Sequence, residues 1–173
     1  MGQAPSDLII VEQAKEEDLE LVMELIAEAS AWLHSIGVDY QWPSPPPRSS
    51  WDRARHGIAE REVYLVRLRA DGRTVGTYRF EWVDRYGAWK DYSDDAGYMR
   101  GLVTHSSARG MGVGVAMLQW AREHIRSHNR KFMRLRCCAI NPFLVQYYAS
   151  NGFAFCGVAP GQLWPSALFQ AEL

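Results

Sequence analysis

The chain alternates short apolar runs with longer stretches of helical period. "DLIIVEQA" is apolar and short, which predicts a first strand. From Lys15 the pattern changes. Leu19, Val22, Leu25, Ile26, Ala29 and Leu33 recur every three or four positions, which predicts an amphipathic helix. Glu16, Glu17 and Asp18 put negative charge in its first turn, where it suits the helix dipole, and Gly37 supplies a stop. The prolines of "YQWPSPPPRSS" block helix and predict an ordered, semi-extended loop. "SSWDRARHGIAERE" predicts a second helix capped by Ser49 or Ser50.

"VYLVRL", "RADGR" and "TVGTYRFEWV" read as strand, turn and strand, with Asp71-Gly72 as the hairpin signal. "DRYGAWKDYSDD" is polar, aromatic and irregular, a loop. "AGYMRGLV" predicts another strand. After a glycine-rich stretch, Met117, Trp120, Ala121 and Ile125 mark one face of a third helix. "KFMRLRCCAI" predicts a strand and "NPFLVQYYASNG" a short helix, with Pro142 in its first turn and Gly152 at its C-terminal cap. "FAFCGV" and "SALFQAEL" close the pattern as strands. There is no internal repeat and no linker, so the elements predict one mixed α/β domain over residues 1–173.

Composition narrows the picture by exclusion. The 173 residues suffice for one domain with a sizeable core, and 47% apolar with 23% charged residues is ordinary for a globular protein. A net charge of −1 gives no basic field for nucleic acid. No apolar stretch is long enough to cross a bilayer, and "MGQAPSDLIIVEQ" lacks the charged start and long apolar run of a signal peptide. The expectation is a cytoplasmic protein with no membrane partner. Cys137 and Cys138 are neighbours in a strand, so their side chains point to opposite faces and cannot share a metal. With Cys156 they read as reduced, buried thiols. The five histidines have no metal-ligand spacing, so no metal is expected.

The chemistry centres on "ARGMGVGVAML". Gly110, Gly112 and Gly114 fall on alternate positions between a strand and a helix, although glycine is a poor helix former. The first amides of a helix have no internal partner and carry the positive end of its dipole. Bare glycine backbone lets a phosphate approach those amides, and Arg109 adds a fixed charge. A mononucleotide P-loop would need Gly-Lys-Ser/Thr, which is absent. A dinucleotide fingerprint would need glycine at a sixth position, where Val115 or Met117 stands. The bland alternative is a flexible turn without a ligand.

"ARGMGVG" resembles the Arg/Gln-x-x-Gly-x-Gly/Ala motif of the GNAT superfamily of acyl-CoA-dependent N-acetyltransferases, with Arg109, Gly112 and Gly114 in its fixed positions. "GYMRGLVTHSSARG" resembles the strand and loop that precede that motif. "LRCCAINPFLVQYYASNGF" resembles the family's closing signature, with Asn141, Tyr148, Gly152 and Phe153 in its places. The resemblance is strong over residues 97–158 and rests mostly on element order over residues 8–83. It implies a central mixed, mostly antiparallel sheet of about seven strands, splayed in the middle and flanked by about four helices. It implies that Arg109, Gly110, Met111, Gly112, Val113 and Gly114 cradle the pyrophosphate of acetyl-CoA. Leu102 and Val103 would hold the pantetheine arm through their backbone, and Asn141 joins the cofactor set.

The implied reaction is acetyl transfer from a thioester to an amine by direct attack in a ternary complex. Tyr148 is the candidate acid for the departing thiolate, by its place after Asn141 and before Gly152. The other reading of Tyr148 is an aromatic core residue, and Tyr147 competes for the role. The strand "AGYMRGLV" carries Arg100 but no carboxylate, which leaves Glu81 as the candidate base and a solvated strand-end charge as its alternative. Asp94 and Asp95 are candidates for holding a cationic substrate, with a solvated loop as the other reading; His105 either bridges to phosphate or faces water. Trp32, Tyr40, Trp42, Trp51, Trp82, Tyr86, Trp89 and Tyr92 crowd the regions that form the acceptor side in the family. Trp42 and Trp89 are the candidates for stacking a flat or cationic amine. A small-molecule amine is the expected acceptor. A protein N-terminus or lysine is the alternative among enzymes, and a non-catalytic acyl-CoA-binding regulatory module the alternative outside them. Homodimer formation stays open.

Overall fold

The computed structural model describes residues 5–89, 95–161 and 163–173. Tyr92 and Asp94 lie outside the described residues. Among the described residues, seven strands and four α-helices follow one another as β1 (Ile9–Gln13), α1 (Leu19–Ser35), α2 (Arg48–Ala59), β2 (Val63–Leu68), β3 (Thr74–Glu81), β4 (Ala96–Thr104), α3 (Val113–Ser127), β5 (Phe132–Cys138), α4 (Pro142–Ser150), β6 (Ala154–Ala159) and β7 (Ser166–Glu172). Backbone pairing orders the strands β1-β2-β3-β4-β5-β7-β6 in a mixed sheet. β4 and β5 run parallel, joined through α3 as parallel strands require a crossover, and the pairs β1–β2, β2–β3, β5–β7 and β6–β7 are antiparallel. The chain divides into two compact units, residues Met1–Arg79 with Gly101–Trp120, and Phe80–Arg100 with Ala121–Leu173.

In the first unit, the helical stripe read from the sequence becomes the core. Leu19, Val22, Met23 and Leu25 of α1 pack with Ala54 and Ile58 of α2, Val63 and Leu65 of β2 and Val103 of β4. Fully burying one such aliphatic side chain is worth about 1.5–3 kcal/mol. The start of α1 differs from expectation. Glu16, Glu17 and Asp18 form a separate 3-10 turn, and the Asp18 carboxylate accepts from the Lys15 amide at 2.8 Å. The cap of α2 differs too. The helix starts at Arg48 with Pro47 in the capping position, where its ring-locked φ of −70° and a ψ of 165° keep Pro47 itself extended. Ser49 and Ser50 therefore fall inside the first turn. The Ser50 hydroxyl accepts from the Arg53 guanidinium at 2.9 Å instead of capping.

In the second unit, β7 inserts between β5 and β6, so consecutive strands β6 and β7 pair while β6 forms the sheet edge. Gly97 of β4 is needed for packing: a Cβ there would lie 2.6 Å from the Phe80 ring and 2.7 Å from Ile125 of α3. That fixes the α3-facing side of β4 at Gly97 and Met99, and leaves Tyr98 and Arg100 on the other face. Cys137 and Cys138 are buried as expected, but Cys156 is exposed on the edge strand.

Candidate functional site

The glycine stretch lies wholly in the first unit. β4 kinks at Gly101, whose φ is +58°, and its end is tied to β3 by the His105 amide donating to the Val75 carbonyl at 2.8 Å. Strand alternation turns the backbone of Leu102 to the opposite edge, whereas Val103 is buried in the core. A 3-10 turn at Ser106–Ala108 follows. His105 caps it: Nδ1 accepts from the Ser107 amide at 3.1 Å, and Nε2 lies 3.8 Å from the Glu28 carboxylate. Its ring is thus occupied locally.

Gly110 and Gly112 then take φ of +75° and +78°, the left-handed region that disfavours any side chain. The Gly112 carbonyl accepts from Ala116 at 2.9 Å and opens α3. Val113 is buried and anchors the helix start. The amides of Val113, Gly114 and Val115 have no carbonyl one turn back to receive them. Cβ atoms built at Gly110 and Gly112 would meet nothing within 4 Å, so the space above this backbone is open. The Arg109 guanidinium lies 4.1 Å over the exposed Trp32 ring and has no acidic partner among the described residues. Unpaired helix amides, bare backbone and an uncompensated guanidinium together fit a phosphate.

Tyr148 lies in the second unit, on α4. Asn141 caps that helix, its side-chain oxygen accepting from the Leu144 amide at 3.4 Å, and Pro142 opens it. The Tyr148 ring packs against Phe153 and Phe169, with centroids 6.0 and 5.9 Å away. Burial pushes its hydroxyl above the ordinary tyrosine range, with Cys137 and Tyr147 adding to the effect. The group therefore keeps its proton. The Cys137 thiol is pushed up to about 12, first by burial and then by Cys138, so it is no nucleophile.

Glu81 also lies in the second unit, and it is not a solvated strand-end charge. Its side chain is 0% exposed and accepts from Arg100 Nε at 3.0 Å. Arg100 reaches a second carboxylate, Asp84, at 2.9 Å. Burial alone would raise the Asp84 carboxyl, but the Trp89 amide, the Arg100 charge and the Tyr86 amide outweigh it and hold it below the usual range. The Tyr86 ring lies 4.3 Å from the Arg100 guanidinium and 4.5 Å from that of Arg136.

The remaining candidates have partners. Trp42 packs against the hydrophobic core of the first unit. The Trp89 ring lies 4.4 Å from the buried Arg134 guanidinium, which donates to Gln170 at 2.8 Å. Asp95 pairs with Lys131 at 3.2 Å. Arg134, Arg136 and the pairing of Arg100 with Glu81 and Asp84 were not foreseen. The signal was present: the alternating arginines of "MRLR" put two cations on one face of a strand. Among the described residues no His/Cys/Asp/Glu group is arranged to hold a metal, and no helix is long and apolar enough to cross a membrane.

Comparison with known proteins bears on the family and the fold. Residues 14–153 match the acetyltransferase (GNAT) family. Over 144 residues the chain is 25% identical to an uncharacterized N-acetyltransferase, YesJ, of Bacillus subtilis (strain 168), covering 82% of this chain and 79% of that one. A GNAT-family acetyltransferase structure from Streptococcus agalactiae 2603 superposes with a TM-score of 0.80 at 16% identity, over 95% of both chains. An aminoglycoside acetyltransferase in complex with coenzyme A superposes with a TM-score of 0.74 at 14% identity, over 95% of this chain and 94% of that one. The chain belongs to the GNAT family of N-acetyltransferases, which use acetyl-CoA.

Proposed function

We propose that this protein transfers the acetyl group of acetyl-CoA to the primary amine of a small molecule, by direct attack with both substrates bound. The observation that carries the reading is the anion cradle at the start of α3. Gly110 and Gly112 adopt backbone that a side chain would strain, beneath open space, beside an arginine without an acidic partner among the described residues. Arg109 and the amides of Val113, Gly114 and Val115 would hold the pyrophosphate, and the Leu102 backbone would receive the pantetheine arm. The aminoglycoside acetyltransferase of like fold, captured with coenzyme A, supports the ligand class.

When bound, acetyl-CoA supplies a thioester carbon that bonds to the amine nitrogen as its bond to sulfur breaks. The nitrogen must first be neutral, which costs about 4–5 kcal/mol at pH 7 for an alkyl ammonium, at about 1.36 kcal/mol per pH unit. Glu81 is the candidate acceptor of the amine proton. Its ion pair with Arg100 opposes that role, since protonation would remove the charged acceptor of Arg100 Nε and leave Asp84 as the guanidinium's carboxylate. Tyr148 remains protonated because it is buried, so its hydroxyl serves the departing sulfur as a hydrogen-bond donor, and its role as the acid rests on that contact strengthening as charge builds on sulfur.

The test is release of free thiol from acetyl-CoA against a panel of small amines and of peptides. Thiol release matched by acetylated small amine supports the reading. Acetylated peptides with no small-amine product would replace it with protein acetylation. Tight acetyl-CoA binding without transfer to either class would replace it with a binding module.

A further inference from the structure

One face of the second unit carries cations in register. On β4, Tyr98 and Arg100 alternate onto the side away from α3, and on β5 Arg134 and Arg136 do the same. The parallel pairing of Tyr98 with Arg134 puts these residues on a shared face, and Arg134 donates to the Tyr98 hydroxyl at 3.3 Å. The loop after β3 lies over them: Trp89 meets Arg134, and Tyr86 meets both Arg100 and Arg136.

The cations are not equally engaged. Arg100 bonds Glu81 and Asp84. Asp84 is already well engaged, because its two oxygens also accept from the amides of Tyr86 at 3.3 Å and Trp89 at 2.9 Å. Arg136 is different. It is half-buried, one contact is the Tyr86 ring, and no hydrogen bond from its guanidinium is made to the described residues. An aromatic face compensates charge but receives none of the five N–H donors in the guanidinium plane. Burial first and then the neighbouring Arg100 charge disfavour the cation there and outweigh the support of Tyr86, Asp84 and Glu81, so an added anion at the open donors would favour it.

We infer that Arg136, roofed by Tyr86, binds a carboxylate of the acceptor, so that the amine acetylated by this protein belongs to an amino-acid-like, carboxylate-bearing class. This rests on the amine-acetylation reading above. Arg136 is a specificity-determining residue: a planar guanidinium suits the two oxygens of a carboxylate, and a carboxamide or an unsubstituted amine leaves its donors without a charged acceptor. Tyr86, exposed on its loop, fixes the guanidinium plane from one face.

The experiment uses α-amino acids, ω-amino acids, the matching primary amides and the matching decarboxylated amines. Each is assayed for acetylation and titrated calorimetrically into protein saturated with coenzyme A. Wild type is compared with Arg136→Met, which keeps the apolar stem, and with Arg136→Lys, which keeps the charge. Circular dichroism verifies that each variant is folded. The expected result is a wild-type preference of about tenfold or more for acids over amides, in line with a hydrogen bond to a charged group. Arg136→Met should abolish that preference, Arg136→Lys should restore part of it, and the acetyl-CoA KM should not move. Equal use of acids and amides by wild type, or an acid preference that survives in Arg136→Met, overturns the inference. If nothing is acetylated but acids bind in an Arg136-dependent way, the carboxylate site stands and the transfer reading falls. If no acid binds or reacts better than its amide, the carboxylate site falls.

Discussion

Gly112→Ala separates the cost of backbone strain from the cost of blocking a phosphate. Gly112 has φ of +78°, and a Cβ there meets nothing within 4 Å. The substitution therefore introduces no clash within the protein, only a left-handed alanine. That costs about 1–2 kcal/mol. Gly72 in the β2–β3 turn is a matched control, with φ of +73° and equally open surroundings. Both variants should lose similar stability. For a chain of this size each 1 kcal/mol lowers Tm by about 2–4 °C. Their ligand binding should diverge. On the proposed reading, a methyl group on the Gly112 backbone stands where a phosphate oxygen would approach the amides opening α3. Loss of one hydrogen bond to a charged group costs about 1.5–3 kcal/mol, roughly a ten- to hundredfold rise in Kd. The assay is calorimetric titration of acetyl-CoA into wild type and both variants, with thermal unfolding measured alongside. Gly72→Ala should bind as wild type does. Equal affinities for Gly72→Ala and Gly112→Ala would remove the glycine stretch from the coenzyme site.

Three further substitutions test separate parts of the account. Tyr148→Phe keeps the packing against Phe153 and Phe169 and removes only the hydroxyl; kcat should fall by about a hundredfold or more with acetyl-CoA affinity unchanged, and full turnover would exclude Tyr148 as the acid. The buried Tyr78 hydroxyl has no hydrogen-bond partner among the described residues, and its ring stacks on Tyr64 at 5.3 Å. Tyr78→Phe should therefore raise stability by about 1 kcal/mol in denaturant titration, and a loss would reveal a partner for that oxygen. His124 has its pKa held below 6.5, first by burial and then by His128. The unfolded chain thus takes up a proton at higher pH than the folded one, and stability falls as pH drops through 6.5 toward the folded value. His124→Gln should flatten the Tm profile between about pH 7 and 5, and an unchanged profile would assign the acid sensitivity elsewhere.

Local pattern made most of the fold legible. "VYLVRL" carries its own boundaries and became β2, and the three-four spacing from Leu19 to Leu33 became the buried stripe of α1. The expectation for the start of α2 failed because two signals competed: serine is a good cap, but the fixed geometry of Pro47 ends the extended segment first. At the candidate site, the glycine stretch was legible because its chemistry is contiguous. Glu81 was not, because its partner Arg100 is 19 residues away and strand period cannot tell an exposed end from a buried ion pair. The engagement of Trp89 by Arg134 was hidden for the same reason, since it joins a loop to a strand 45 residues further on.

The most direct test of acetyl transfer to a small amine is product mass spectrometry with isotopically labelled acetyl-CoA and the amine panel. The account predicts one labelled acetyl group on a small amine, in step with free coenzyme A and abolished when Arg109 is replaced by leucine. Coenzyme A released without any acetylated amine, or label found only on peptides, would contradict it.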